Sequence, residues 1–86
     1  MNIIPTRKYI RQLDVLLHGN KKYRLKVIKV MQLMDFNLTH PSLRLHKIVG
    51  NGEVYSVSVD MKVRILFAID GNNIWLLEIG NHDEVY

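Results

Sequence analysis

Apolar residues in the first half of the chain recur at the spacing of two amphipathic helices. The first helix is predicted to begin at Arg7, with Thr6 as its N-cap, and to end at His18-Gly19-Asn20, with Gly19 in the position just after the C-terminus. The second is predicted over Lys21 to Asp35. Because the connection between them is very short, we expect an antiparallel helix hairpin. The apolar faces comprise Tyr9, Ile10, Leu13, Leu16 and Leu17 in the first helix, and Tyr23, Val27, Val30, Met31 and Met34 in the second.

The second half of the chain alternates apolar and polar residues, which is typical of β-strands. Residues 54–59, 63–69 and 74–80 form three such runs, separated by turns at 60–62 and 70–73. Pairing Val59 with Val63 keeps the apolar residues of the first two runs on one face. That register places Arg64 directly across from Ser58, on the opposite face. Both faces of the last run are apolar, and the pattern does not decide which face Trp75 takes.

Together these elements predict one small α+β domain spanning residues 1–86. A two-helix hairpin packs on one face of a small antiparallel sheet, in the order βααβββ, with Met1 to Ile4 as a short edge strand. Residues 42–52 are less decided: Arg44, His46 and Lys47 are predicted to face outward, and residues 50–52 to form a turn. The sheet face away from the helices, which carries Ser56, Ser58 and Arg64, is expected to face water or a ligand.

Charge is divided unevenly along the chain. Residues 1–50 contain ten Lys or Arg and two acids, a net charge of +8, whereas residues 51–86 contain two Lys or Arg and six acids, a net charge of −4. A basic half favours an anionic partner, either nucleic acid or an acidic protein, and the alternative is an ordinary solvated helix surface. The sequence contains no cysteine, which excludes disulfides and thiolate chemistry. No apolar run approaches the length of a membrane-spanning helix, so we expect a soluble, cytoplasmic protein with no membrane partner.

Candidate chemistry is concentrated in the tail that follows the last strand. His82, Asp83, Glu84 and Tyr86 come directly after a strand end, where a scaffold commonly carries functional residues. The alternative for His82 is an exposed polar loop residue. The four histidines of the chain do not have the spacing of metal ligands, so we predict no metal and no other cofactor.

The order of a helix hairpin and a strand meander, the strand VRILFAI and the closing IGNHDEVY resemble the RelE/ParE superfamily of bacterial toxins. Within it, the histidine tail is more similar to the YafQ-like and YoeB-like ribonuclease toxins than to the gyrase-poisoning ParE branch. The resemblance implies that Arg64 holds the scissile phosphate. His82 and Tyr86 reproduce the spacing of a histidine and an aromatic residue in those toxins, and His46 is the nearest equivalent of a further histidine.

The resemblance implies cleavage of mRNA in the ribosome by attack of a ribose 2′-OH on the adjacent phosphate, without a metal. It also implies a cognate antitoxin, mRNA and ribosomal RNA as partners. His82 suits the general acid, Arg64 the phosphate ligand and Tyr86 a base-stacking platform. The residues expected to bind RNA are Lys22, Lys26, Lys29, Lys47, Ser58 and Lys62.

The sequence departs from the family on the first meander strand. Ser56, Ser58 and Val59 stand where related toxins have lysines or a histidine, and Lys62 stands near a family acid. The general base is therefore open between His46, Glu53 and Asp83, or the activity is weak or lost. Two alternatives to the ribonuclease remain: a ParE-like gyrase inhibitor, and a degenerate toxin that only binds its antitoxin.

Overall fold

A computed structural model describes residues 1–48, 50 and 52–81. In chain order the elements are β1 (Asn2–Pro5), α1 (Arg7–Gly19), α2 (Lys22–Phe36), a 3₁₀ turn (Pro41–Leu43), β2 (His46–Lys47), β3 (Val54–Ser58), β4 (Val63–Asp70) and β5 (Asn73–Asn81). The predicted helix hairpin and strand meander are both present. Helix α2 begins and ends one residue later than predicted.

The sheet has five strands in the order β1-β5-β4-β3-β2 and is mixed, which corrects the antiparallel sheet expected from the sequence. The meander is antiparallel, but β1 lies parallel to β5, with Ile3 opposite Ile74. The cause is the helix hairpin, which carries the chain from one edge of the sheet to the other before the meander begins. Strand β2 adds a short fifth strand on the far side of β3.

The helices cover one face of the sheet, and the core lies between the two layers. Tyr9 of α1 and Val27, Val30 and Met34 of α2 are buried there. The sheet and the 3₁₀ turn contribute further residues to this core: Leu43, Val57, Val63, Ile65, Phe67, Ile74, Leu76 and Ile79. The predicted apolar faces therefore pack together, except that Ile10 of α1 is 50% exposed.

Helix α1 is fixed at its N-terminus by Thr6. As predicted, the Thr6 hydroxyl caps the helix by accepting a hydrogen bond from the Tyr9 amide, and it donates to the Leu76 carbonyl at 2.7 Å. The other end falls at the predicted His18-Gly19-Asn20, but the position assigned to Gly19 was wrong. Gly19 is the last helical residue, and Asn20, in an extended conformation, closes the helix with its amide on the Leu17 carbonyl.

A bulge in β5 explains why its pattern was ambiguous. Leu66 pairs with Glu78 but Phe67 pairs with Leu76, so Leu77 is an extra residue in β5. The insertion changes the alternation, so Ile79 joins Ile74 in the core although strict alternation would put them on opposite faces. Trp75, opposite Ala68, takes the face away from the helices.

Within the described part of the chain, no helix has the length and apolar composition needed to cross a bilayer.

Candidate functional site

The guanidinium of Arg64 is held against the face of the sheet opposite the helices. Arg64 is paired with Ser58, as predicted, and its side chain crosses the neighbouring strand to Ser56. Nε and Nη2 donate to the Ser56 hydroxyl at 3.3 and 3.0 Å, and Nη2 also donates to the Arg44 carbonyl at 3.1 Å. Several hydrogen bonds to one planar group fix its orientation, so Arg64 is arranged as a pre-positioned cation.

Ser56 and Ser58 lie on the predicted face but do not face water. Ser56 is 0% exposed and Ser58 8% exposed, because the Arg64 side chain lies over Ser56 and the chain around the 3₁₀ turn packs beside β3. The Ser58 hydroxyl donates to the Asp60 carbonyl at 2.6 Å. Both hydroxyls thus have structural contacts: Ser56 positions Arg64, and Ser58 supports the β3–β4 turn.

His46 joins Arg64 on this face. It lies on β2 directly opposite Ser56, and residues paired across a sheet project from the same side, so Ser56 separates the two candidate side chains. His46 is exposed at the sheet edge. Lys47 projects from the other side, opposite Tyr55, and forms an exposed ion pair with Glu53 at 3.8 Å.

Asp60 organises the β3–β4 turn and joins it to helix α2. Its carboxylate accepts hydrogen bonds from the Tyr23 hydroxyl at 2.7 Å, from Lys26 Nζ at 3.2 Å, and from the amides of Lys62 and Val63. Burial would raise the pKa of Asp60, but these four hydrogen bonds outweigh it and hold the pKa well below its usual range. The hydrogen bond between Tyr23 and Asp60 raises the pKa of Tyr23 to about 12.

Three of the lysines predicted to bind RNA line one cleft between α2 and the β3–β4 turn. They are Lys22, Lys26 and Lys62, and the cleft has a volume of about 580 Å³. Lys22 and Lys26 also lie over the ring of Tyr23, with Nζ 5.9 and 5.2 Å from its centre. Lys29 borders a smaller groove beside Ser58. A group of basic side chains thus lies at the end of the sheet where the β3–β4 turn is.

Arg44 is a candidate that the sequence analysis missed. It follows the 3₁₀ turn, its carbonyl accepts from Arg64, and its own Nη1 lies 3.9 Å from the sulfur of Met61 in the β3–β4 turn. The pattern of residues 42–52 indicated only an outward-facing side chain. The contact is made by the backbone, and no side-chain pattern could have signalled it.

The described chain stops beside Arg64. Gly80 pairs with Arg64, and Asn81, the last described residue, pairs with Val63. The predicted site residues His82, Asp83 and Tyr86 lie outside the described residues. In the described ranges 1–48, 50 and 52–81, no group of three or more His, Asp or Glu side chains could hold a metal ion.

No protein-family model matches this sequence. No curated protein matches it either. Solved structures do match over nearly the whole chain. The E. coli DinJ–YafQ toxin–antitoxin complex aligns with a TM-score of 0.83 and 15% identity over 99% of this chain and 96% of the other. The YoeB dimer from Staphylococcus aureus aligns with a TM-score of 0.79 and 19% identity, over 95% and 97%.

The chain has the fold of the YafQ and YoeB toxins. A copper-bound mutant toxin from Helicobacter pylori has it too, with a TM-score of 0.79 and 17% identity over 100% of this chain and 99% of that one. This agreement confirms the RelE-like fold expected from the sequence. At these identities the likeness shows the fold, and the function has to be argued from the site.

Proposed function

We propose that this protein is the toxin of a type II toxin–antitoxin module and cleaves mRNA on the ribosome. The observation that carries the proposal is the fixed guanidinium of Arg64, on the sheet face opposite the helices and beside the end of β5. A guanidinium fixed in advance stabilises the extra negative charge of a pentacoordinate phosphate without reorganising during the reaction. The RelE-like fold supports the same assignment.

The reaction is a transesterification within the RNA. A base removes the proton from a ribose 2′-OH, the oxygen attacks the adjacent phosphorus, and the bond to the leaving 5′ oxygen breaks as an acid protonates it. Arg64 binds the phosphate, His82 is the acid and Tyr86 stacks on a base. His46 is the favoured base, since it pairs with Ser56 and so shares the face of Arg64, whereas Asp83 lies outside the described residues.

RNA would reach Arg64 along the basic end of the sheet. The cleft with Lys22, Lys26 and Lys62 lies at the β3–β4 turn that precedes Arg64, so these lysines would bind phosphates of the same RNA. Such contacts release counterions and make binding steeply dependent on salt. Lys29 and Lys47 extend the basic surface, although Lys47 is paired with Glu53.

The partner that neutralises the toxin is an antitoxin. Solved relatives with this fold include complexes of YafQ with DinJ and of YoeB with YefM. For this chain the strongly basic first half favours an acidic antitoxin segment that folds on binding.

One observation favours a second candidate, a toxin that binds without cleaving. Strand β3 offers buried Ser56 and Ser58 to the site, and neither can act as a cationic or basic group. A chain with this strand could keep the fold and still bind an antitoxin while lacking ribonuclease activity. A gyrase inhibitor and a degenerate toxin both belong to this alternative.

Primer extension on a reporter mRNA after brief induction separates these functions. The wild type is compared with His82→Ala and Arg64→Ala, and Arg7→Ala, an exposed arginine on α1, is the matched control. Discrete cuts that persist in the control and vanish in the two site variants support the ribonuclease. Growth arrest without cuts favours a binding toxin. The absence of both cuts and growth arrest favours the degenerate toxin.

A further inference from the structure

Arg44 adopts a backbone conformation that ordinary residues avoid. Its φ of 48° and ψ of 54° lie in the left-handed region, and among the described residues it is the only one other than glycine with a positive φ. Side chains with a Cβ are strained there, and glycine, asparagine and aspartate tolerate it best. Strained backbone that persists in a fold tends to occur where function requires it.

The residues just before Arg44 fix this conformation. The Arg44 amide donates to the Pro41 carbonyl at 3.2 Å and closes the 3₁₀ turn, while Leu43, 0% exposed, anchors the turn in the core. With the residue before it buried and its own amide bonded, the left-handed turn at Arg44 decides where its carbonyl points. It points at Nη2 of Arg64, 3.1 Å away.

We propose that Arg44 is a positioning residue for Arg64 and that it acts through its backbone. The left-handed conformation aims the Arg44 carbonyl at the guanidinium of Arg64. The Ser56 hydroxyl accepts hydrogen bonds from Nε and Nη2 of the same guanidinium. Two of the three guanidinium nitrogens are thereby fixed, and the plane of the group with them. The role of the oriented guanidinium as a phosphate ligand rests on the function proposed above, whereas the orientation itself does not.

The alternative is that Arg44 acts through its side chain, as a second cation for RNA. Its guanidinium is exposed beside Met61, so this idea has to be tested directly. The two ideas differ in what a substitution must preserve. A backbone role requires the left-handed conformation and tolerates loss of the guanidinium, while a side-chain role requires the guanidinium.

Four variants separate them. Arg44→Gly and Arg44→Asn remove the charge and accept the left-handed conformation, while Arg44→Ala and Arg44→Val remove the charge and resist it, valine more than alanine. We expect Arg44→Gly and Arg44→Asn to retain cleavage near the wild-type rate. Arg44→Val should lose about tenfold to a hundredfold, the scale expected when a group is misplaced by about 1 Å. Equal losses in all four variants, or no loss in Arg44→Val, would overturn the proposal.

A second measurement does not depend on cleavage. The Nε–H resonance of Arg64, assigned by its disappearance in Arg64→Lys, reports the orientation of the guanidinium in the full chain. We expect the same chemical shift and slow solvent exchange in the wild type, Arg44→Gly and Arg44→Asn, and a shifted, faster-exchanging signal in Arg44→Val. If Arg44→Val does not fold, Arg44→Ala takes its place in the comparison.

These two readouts keep the inference apart from the proposed function. If the wild type cleaves no RNA, the proposed function fails, but the Arg64 resonance still decides whether Arg44 positions the guanidinium. If the resonance is unchanged in the variants that resist the left-handed conformation, the positioning role is wrong even in an active ribonuclease.

Discussion

The hydroxyl of Tyr23 donates a 2.7 Å hydrogen bond to the carboxylate of Asp60, joining helix α2 to the β3–β4 turn. The two residues are separated by 37 positions in the chain, and Lys26, one turn further along the same helix, contacts the same carboxylate. The turn that precedes Arg64 is therefore tied to the helical layer by a charged, partly buried contact.

Removing the Tyr23 hydroxyl should weaken the fold. We expect Tyr23→Phe to lower the free energy of unfolding by about 1–2 kcal/mol, since a hydrogen bond to a charged group is lost while the ring stays in the core. The measurement is urea unfolding of the purified protein. Tyr55→Phe is the matched control: its hydroxyl bonds the exposed Glu53, and we expect a change below about 0.5 kcal/mol. Equal effects in both variants would contradict the importance given to Asp60.

Stability should depend on pH through Asp60. The folded-state pKa of Asp60 is lowered, so its contribution is present above the unfolded-state pKa of about 3.9 and is lost as pH falls toward the folded value. Asp60→Asn keeps an acceptor for the turn amides but cannot ionise. We expect the wild type to be more stable than Asp60→Asn at pH 7 and the difference to shrink below pH ~4. A difference that stays constant from pH 7 to pH 3 would contradict this account.

Much of the fold could be predicted because its signals are local. The 3.6-residue and 2-residue periods specified both helices and the meander, and the apolar faces fixed the register that places Arg64 opposite Ser58. The pairing of β1 with β5 had no such signal, since Ile3 meets a strand some 70 residues away. The bulge at Leu77 left one signal, Glu78, which strict alternation would place on the buried face of Ile74 and Leu76. Because Glu78 is the single polar residue among residues 74–79, the surrounding apolar residues obscured the change of phase.

The site was predictable where it depends on side-chain type and hidden where it depends on backbone. The register placed Arg64, and the resemblance selected His46, which the structure brings to the same face. The burial of Ser56 was not foreseen, because alternation alone does not reveal that a long neighbouring side chain lies over it. The contact from Arg44 depends on a left-handed backbone at a residue that gives no hint of it.

Thr6 should matter for stability more than an exposed threonine does. Its hydroxyl caps α1 and bonds the Leu76 carbonyl, linking the helix start to the sheet. We expect Thr6→Val to cost about 1–2 kcal/mol in urea unfolding and Thr6→Ser to cost much less, because serine keeps the cap. Thr39→Val, in an exposed loop, is the control and should change stability by less than about 0.5 kcal/mol. A Thr6→Ser variant as unstable as Thr6→Val would show that the methyl group, and not the cap, is what matters.

Ser56 should affect RNA cleavage through Arg64. In Ser56→Ala two of the hydrogen bonds that orient the guanidinium are lost, and only the Arg44 carbonyl remains of the contacts described above. We expect cleavage to fall by about tenfold or more, because a misoriented guanidinium stabilises the transition state less well. Unfolding stability should fall by only about 1 kcal/mol, the usual net contribution of a hydrogen bond to folding.

The double variant tests whether the effect passes through the guanidinium. If Ser56 acts by orienting Arg64, then Ser56→Ala should add almost nothing to the loss already caused by Arg64→Ala, and the two effects should be strongly non-additive. Single-turnover cleavage by the four proteins of this cycle provides the measurement, with Thr39→Val again as the control for a lost hydroxyl. Independent, multiplicative losses would mean that Ser56 contributes to catalysis by a route other than Arg64.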